Sequence, residues 1–186
     1  MPRYKLTIEY DGTDYVGWQQ QPNGRSIQLA VEDAAGKLDE APVRVYGSGR
    51  TDSGVHALGQ VAHLDLTKNL RTDVVRDGLN HHLGDDTVAI LNAERVGDNF
   101  HARFSATARH YLYRISDRRP PLTLDRGRIW RIPVKMDVAA MHDAAQCLVG
   151  LHDMSTFRDG QCQPDIGHRE MSTYHEDRQG IARRHA

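Results

Sequence analysis

GSGRTDSGVHA, residues 47–57, is the stretch on which the fold turns. Before it, residues 43–46 are short, rich in β-branched side chains and bounded by Pro42 and Gly47, which predicts a strand. After it, residues 59–66 alternate Ala62, Leu64 and Leu66 with Val61, His63 and Asp65, a second strand. Two strands therefore flank a loop that holds three glycines together with Arg50, Thr51, Asp52, Ser53 and His56. A simple turn needs one or two glycines, so this loop is built to present charged groups. It is not a phosphate-binding loop of the Walker type, which ends in Gly-Lys-Ser/Thr, because it contains no lysine. Nor is it a dinucleotide fingerprint, since the glycine spacing differs and a strand follows where that fingerprint needs a helix.

Working outward, Tyr4, Leu6, Ile8 and Tyr10 alternate with Lys5, Thr7 and Glu9, a half-buried strand. A Gly-, Asn- and Gln-rich loop runs through Gly24. Ser26 then caps a predicted helix that carries Ile27, Ala30, Val31, Ala34 and Leu38 on one face. A second helix is expected over 73–82 and a strand over 88–96. The first half, residues 1–103, thus reads β-α-β-β-α-β, a ferredoxin-like order in an α+β protein, with 47–57 as its functional loop. Strands at 109–116 and 129–132 and a helix capped by Asp137 and closed by Gly150 begin a second α+β half, residues 104–163. That half is incomplete. From residue 158 the aliphatic residues thin to Ile166, Met171 and Ile181 with no helical or strand period, and 164–186 is expected to be a disordered or aberrant tail.

The 186 residues include 39% hydrophobic and 26% charged side chains, with no run apolar enough for a membrane span or a signal peptide. Two cysteines, Cys147 and Cys162, fit reduced cytoplasmic thiols better than a disulfide framework. Eleven histidines are scattered without HExxH or CxxC spacing, so no metal is expected. His168-Arg169-Glu170 matches half of a zinc deaminase signature whose Pro-Cys-x-x-Cys partner is absent. A Ser-His-Asp hydrolase lacks its G-x-S-x-G elbow. The net charge of −1 says little about partners, but residues 101–131 hold eight arginines against Asp117 and Asp125, a local excess of six. Arginine's planar fork suits phosphate, so the segment fits either a polyanion or an ordinary solvated face.

A family resemblance narrows these readings. GRTDSGVHA (residues 49–57) followed by GQV (59–61) closely resembles the signature of the tRNA pseudouridine synthase A family. Four further blocks agree in order and spacing: IEYDG (8–12) with GWQ (17–19); NFHAR (99–103); FSATAR (104–109) with Tyr111 and Tyr113; and DMSTF (153–157) with Cys162 and Gln163. The resemblance implies an isomerase without cofactor that acts on uridines of the tRNA anticodon stem-loop. Such an enzyme breaks the N1–C1′ bond, turns the uracil and rejoins it through C5. By position Asp52 corresponds to the family's catalytic aspartate, and a carboxylate can form and release an ester-like adduct. Attack on the sugar, attack on the base and removal of a sugar proton all stay open.

Arg50 would pair with phosphate or fill the space that the flipped nucleotide leaves. Tyr111 matches the tyrosine that stacks on the target base, although by its alternation with Tyr113 it reads equally as core. Arg103 and Arg109 are expected on phosphate. Thr51, Ser53 and His56 read as groups that satisfy the loop's backbone, and a lone Asp in a loop is ordinarily a turn or capping residue. The family is homodimeric and binds tRNA across both subunits. After Gln163 the family continues with two strands and a helix bearing an arginine beside the aspartate, and 164–186 matches none of them. A shifted or prematurely ended reading frame is the expectation, with the helix at 137–149 left uncovered. Two rival readings follow: a catalytically impaired tRNA-binding fragment of the same family, and an unrelated protein–protein module whose glycine loop is only a turn.

Overall fold

The computed structural model describes residues 1–157, 168–171, 173–177 and 181–185. It divides into two compact units, Met1–Ala106 and Thr107–Ala186, and each is taken by itself.

Unit 1 runs β1 (Arg3–Tyr10), α1 (Ile27–Asp39), β2 (Val45–Gly47), β3 (Ala57–Asp65), α2 (Thr72–Leu83) and β4 (Val88–Val96). The sheet order is β2-β3-β1-β4 with every neighbouring pair antiparallel. Because β3 lies between them, β1 and β2 run the same way, and such a pair needs a crossover, which α1 supplies. Tyr4, Leu6 and Ile8 of β1 face one side of the sheet together with Ala62 and Leu64 of β3, and all five are fully buried. The helices cover that side with Ile27, Val31, Ala34, Val75 and Leu79. Each such large side chain contributes about 1.5–3 kcal/mol by leaving water.

The caps explain the helix limits. Ser26 Oγ accepts the Leu29 amide at 3.1 Å, starting α1. Glu40 ends it in the left-handed region at φ 58°, where its exposed side chain pairs with Lys68. Gly84 at φ 59° ends α2. The Asp39 carboxylate, though buried, is held by the amides of Thr67 and Lys68 and by the Thr67 hydroxyl.

Unit 2 contains β5 (His110–Ser116), β6 (Trp130–Arg131), α3 (Val138–Ala145) and β7 (Gly150–Asp153), with β8 (His168–Met171), β9 (Thr173–Asp177) and β10 (Ile181–His185) following. Single 3₁₀ turns occupy Gln146–Leu148 and Ser155–Phe157. One sheet has the order β6-β5-β10-β9, and β7 pairs with β8 alone. Asp137 caps α3 through the Ala140 amide at 3.0 Å. Strands β8, β9 and β10 lie in the segment where the sequence predicts no element. They are defined by backbone pairing, Ile181 to His185 opposite Arg114 to His110, and not by an apolar alternation that a sequence could display. The rest of that tail lies outside the described residues, as does Cys162. Among the described residues every buried apolar side chain of the core belongs to unit 1, and no side chain of α3 is buried. Also among them, no helix is long and apolar enough to cross a membrane.

Candidate functional site

The loop between β2 and β3 is held on two sides. From the sheet, Ser48 N–H donates to Val61 O at 2.8 Å, Ser48 Oγ donates to Gln60 Oε1 at 2.8 Å, and Gln60 Nε2 donates to Gly49 O at 2.9 Å. The Tyr10 hydroxyl at the end of β1 lies 2.9 Å from Thr51 Oγ1, and burial pushes that phenol above its ordinary value, so it stays protonated. From the other side comes the segment 11–18. Trp18 N–H donates to Thr51 O at 3.0 Å, while Ser53 Oγ and Gly54 N–H both donate to Tyr15 O, at 3.1 and 3.4 Å.

Two glycines allow this approach. A methyl on Gly12 would sit 2.1 Å from Val55 O, and one on Gly17, at φ +109°, would sit 2.5 Å from Thr51 O. The segment and the loop therefore touch backbone to backbone, and the buried indole of Trp18 fills the space against Gly47.

His56 closes the loop. Its Nδ1 lies 3.2 Å from the Gly12 amide and 3.0 Å from Asp11 Oδ1. The same nitrogen serves the two contacts in opposite senses: without a hydrogen it accepts the amide, and carrying one it donates to the carboxylate. Thr51, Ser53 and His56 thus hold backbone and neighbouring groups in place. Arg50 and Asp52 do not. Both side chains are exposed, and the Asp52 carboxylate makes no hydrogen bond or ion pair among the described residues; only its carbonyl is used, by the Val55 amide at 3.2 Å. The result is a stiff loop carrying one exposed carboxylate, with the positive side chain of Arg50 two residues before it.

Arg103 follows a second feature of unit 1. On the sheet face away from the helices, His63 is only 2% exposed because Phe100 and Ala102 lie over it. Its Nδ1 accepts the Ala102 amide at 3.1 Å, and its ring stacks on Tyr46 at 5.0 Å. Burial, with His101 and Arg3 nearby, pushes its pKa down to about 4. An unfolded chain takes up this proton near pH 6.5. Folding stability is therefore complete above about pH 6.5 and falls as the pH drops toward 4, by up to about 3 kcal/mol. Urea unfolding followed across that window should display this slope, and His63→Gln, which keeps an oxygen for the Ala102 amide, should flatten it. An unchanged slope in the variant would assign the effect to another group.

The remaining predicted residues belong to unit 2. Tyr111 lies on β5 opposite Arg184 and is 41% exposed, so it is not core. Arg109 immediately precedes β5. Of the basic stretch, Arg114 pairs with Asp125 at 3.5 Å, Arg118 donates to Pro121 O at 2.6 Å, and Arg131 donates to the carbonyls of Arg118, Arg119 and Pro120. Carbonyl partners leave the guanidinium charges of Arg118 and Arg131 in place. Among the described residues no group of three His, Cys, Asp or Glu side chains converges as a metal site would. The sequence reading missed the docking of 11–18 on the loop. Its only trace is the pair Gly12 and Gly17 flanking Tyr15.

The loop and the mixed α/β unit that carries it lie within the region shared with a known family of RNA-modifying isomerases. The sequence model of the tRNA pseudouridine synthase family matches residues 6–105, and the chain belongs to that family. Particular relatives agree. The tRNA pseudouridine synthase A of Maricaulis maris is 61% identical over 180 residues, 97% of this chain and 72% of the relative. That of Afipia carboxidovorans is 57% identical over 182 residues, 98% of this chain and 74% of the relative. That of Xanthobacter autotrophicus is 58% identical over 163 residues, 88% of this chain and 66% of the relative. The first two matches are too long to stop at residue 163, so similarity continues into the segment where the sequence reading found no family pattern.

Proposed function

We propose that the chain converts uridine to pseudouridine in the anticodon stem-loop of tRNA, with Asp52 as the nucleophile and without a cofactor. The observation that carries this reading is the exposed Asp52 carboxylate on a loop held from both sides, inside the region that the family model matches. The reaction is an isomerisation: the N1–C1′ bond breaks, a C5–C1′ bond forms, C5 gives up its proton and N1 gains one. Such chemistry needs a carboxylate in a fixed position more than it needs a redox or Lewis-acid group. Arg50, Arg103 and Arg109 bind the RNA backbone, and Tyr111 stacks on the target base. The sheet order β2-β3-β1-β4 with two crossover helices supports reading unit 1 as a ferredoxin-like half. The assembly this reading carries is a cytoplasmic homodimer.

The test is the full chain with an unmodified tRNA transcript labelled with tritium at uracil C5. Tritium release is expected, and binding should weaken steeply with salt as counterions are released. Replacing Arg103 and Arg109 together with Ala should flatten the log–log salt slope by about 1.4–1.8, since each phosphate contact contributes about 0.7–0.9. Salt-independent binding would remove the electrostatic assignment. Binding without tritium release would leave a tRNA-binding chain of the family that does not turn over.

A further inference from the structure

We propose that Phe104, backed by His101 and Tyr46 and flanked by Arg103, is a stacking platform for an unpaired base of the substrate tRNA, away from the reacting uridine. This rests on the reading of tRNA as substrate and adds to it a second base contact.

Phe104 is 77% exposed, more than any other Phe, Tyr or Trp of unit 1. It is not an isolated ring. Its centroid lies 4.5 Å from that of His101 at an interplanar angle of 35°, and His101 lies 4.6 Å from His63. His63 in turn stacks on Tyr46, which is 47% exposed. The rings form a continuous row with a buried centre and exposed ends.

The row is built to stay in place. Ser105 N–H donates to His101 O at 2.8 Å, His101 N–H donates to Ser105 Oγ at 3.0 Å, and Arg103 N–H donates to His101 Nδ1 at 3.2 Å. Arg3, paired with Asp65, donates to the carbonyls of Asp98 and Phe100 at 2.7 and 2.8 Å and ties the turn to the sheet. Phe104 therefore faces water at little further entropic cost to a ligand, which is the condition under which an exposed ring gives affinity. Beside it, the Arg103 guanidinium lies 5.8 Å from the ring centroid. An exposed ring with a cation over it matches a nucleotide, whose base stacks on the aromatic group while its phosphate meets the charge. An apolar peptide would gain nothing from the arginine. Asp65, an acidic group at this turn's anchor, is paired with Arg3 at 2.8 Å.

Phe104→Leu keeps apolar bulk and removes the stacking face. In the full chain it should weaken binding of an unmodified tRNA transcript by about 5- to 150-fold, the span of a base–aromatic stack. The salt slope should not change, because no phosphate contact is lost, and KM should rise with kcat unaltered. Phe104→Trp should restore binding, and the introduced indole should be quenched by tRNA beyond the wild-type signal of Trp18 and Trp130. Wild-type affinity in Phe104→Leu, or an unquenched indole in a chain that binds tRNA, would overturn the platform alone. A wild-type chain that does not bind tRNA would overturn the substrate reading and the platform with it.

Discussion

Asp52→Asn is expected to lower pseudouridine formation by at least about 10³-fold, the scale on which loss of a reacting carboxylate acts. Affinity for tRNA should stay close to that of the wild type. The separation follows from how the loop is held. The contacts described above that fix it run through neighbouring groups: the carbonyls of Gly49 and Thr51, the hydroxyls of Ser48, Thr51 and Ser53, the Ser48 and Gly54 amides and the His56 ring. Asp52 contributes only its carbonyl, which asparagine retains. The substitution leaves shape and loop geometry alone and removes only the charge and one carboxylate oxygen. Tritium release under single-turnover conditions, with transcript binding measured on the same preparation, reads both quantities. Turnover surviving at wild-type rate would take Asp52 out of the nucleophile's role. Equal loss of binding and turnover would make its charge a binding group.

The elements of unit 1 were legible because their signals are local. The alternation from Tyr4 to Tyr10, the Ser26 cap and the face carrying Ile27, Ala30, Val31 and Ala34 each depend on near neighbours in sequence, and each matches the structure. What escaped depends on distant parts of the chain. His63 alternates with the buried Ala62 and Leu64 and yet is itself buried, because a turn forty residues later lies over it. Glu40 ends α1 in a conformation usually left to glycine, so nothing marked the boundary. Strands β9 and β10 carry charged residues such as Arg183 and Arg184 along their length, and they are defined by pairing alone, β10 to β5 and β9 to β10.

The site divides in the same way. The density of glycines around Arg50 and Asp52 marked the loop, whereas its clamp by residues 11–18 is a contact between segments some forty residues apart. Periodicity cannot report such a contact.

That clamp carries the second large expected effect, Gly17→Ala. Gly17 has φ +109°, a region that costs a residue with a side chain about 1–3 kcal/mol. The added methyl would also sit 2.5 Å from Thr51 O, 3.1 Å from the Asp52 carbonyl carbon and 3.3 Å from the Ser53 nitrogen. All three are backbone atoms of the loop, so no flexible side chain can swing aside. Either the 11–18 segment or the loop must retreat by roughly an ångström, with loss of the Trp18-to-Thr51 hydrogen bond. A displacement of that size at a reacting group costs about 10²-fold in rate. The fall is expected in kcat, with KM for the tRNA transcript little changed. Gly84→Ala is the matching control. Gly84 also has positive φ, at 59°, but nothing lies within 4 Å of a methyl there, and it ends α2 outside the clamp. It should lose a similar amount of stability to backbone strain and keep its turnover. Thermal unfolding and kcat measured for both variants separate strain from displacement. Equal turnover in the two would mean that the Gly17 contact does not set the position of Asp52, and that the loop is held by Tyr10, Gln60 and His56 without it.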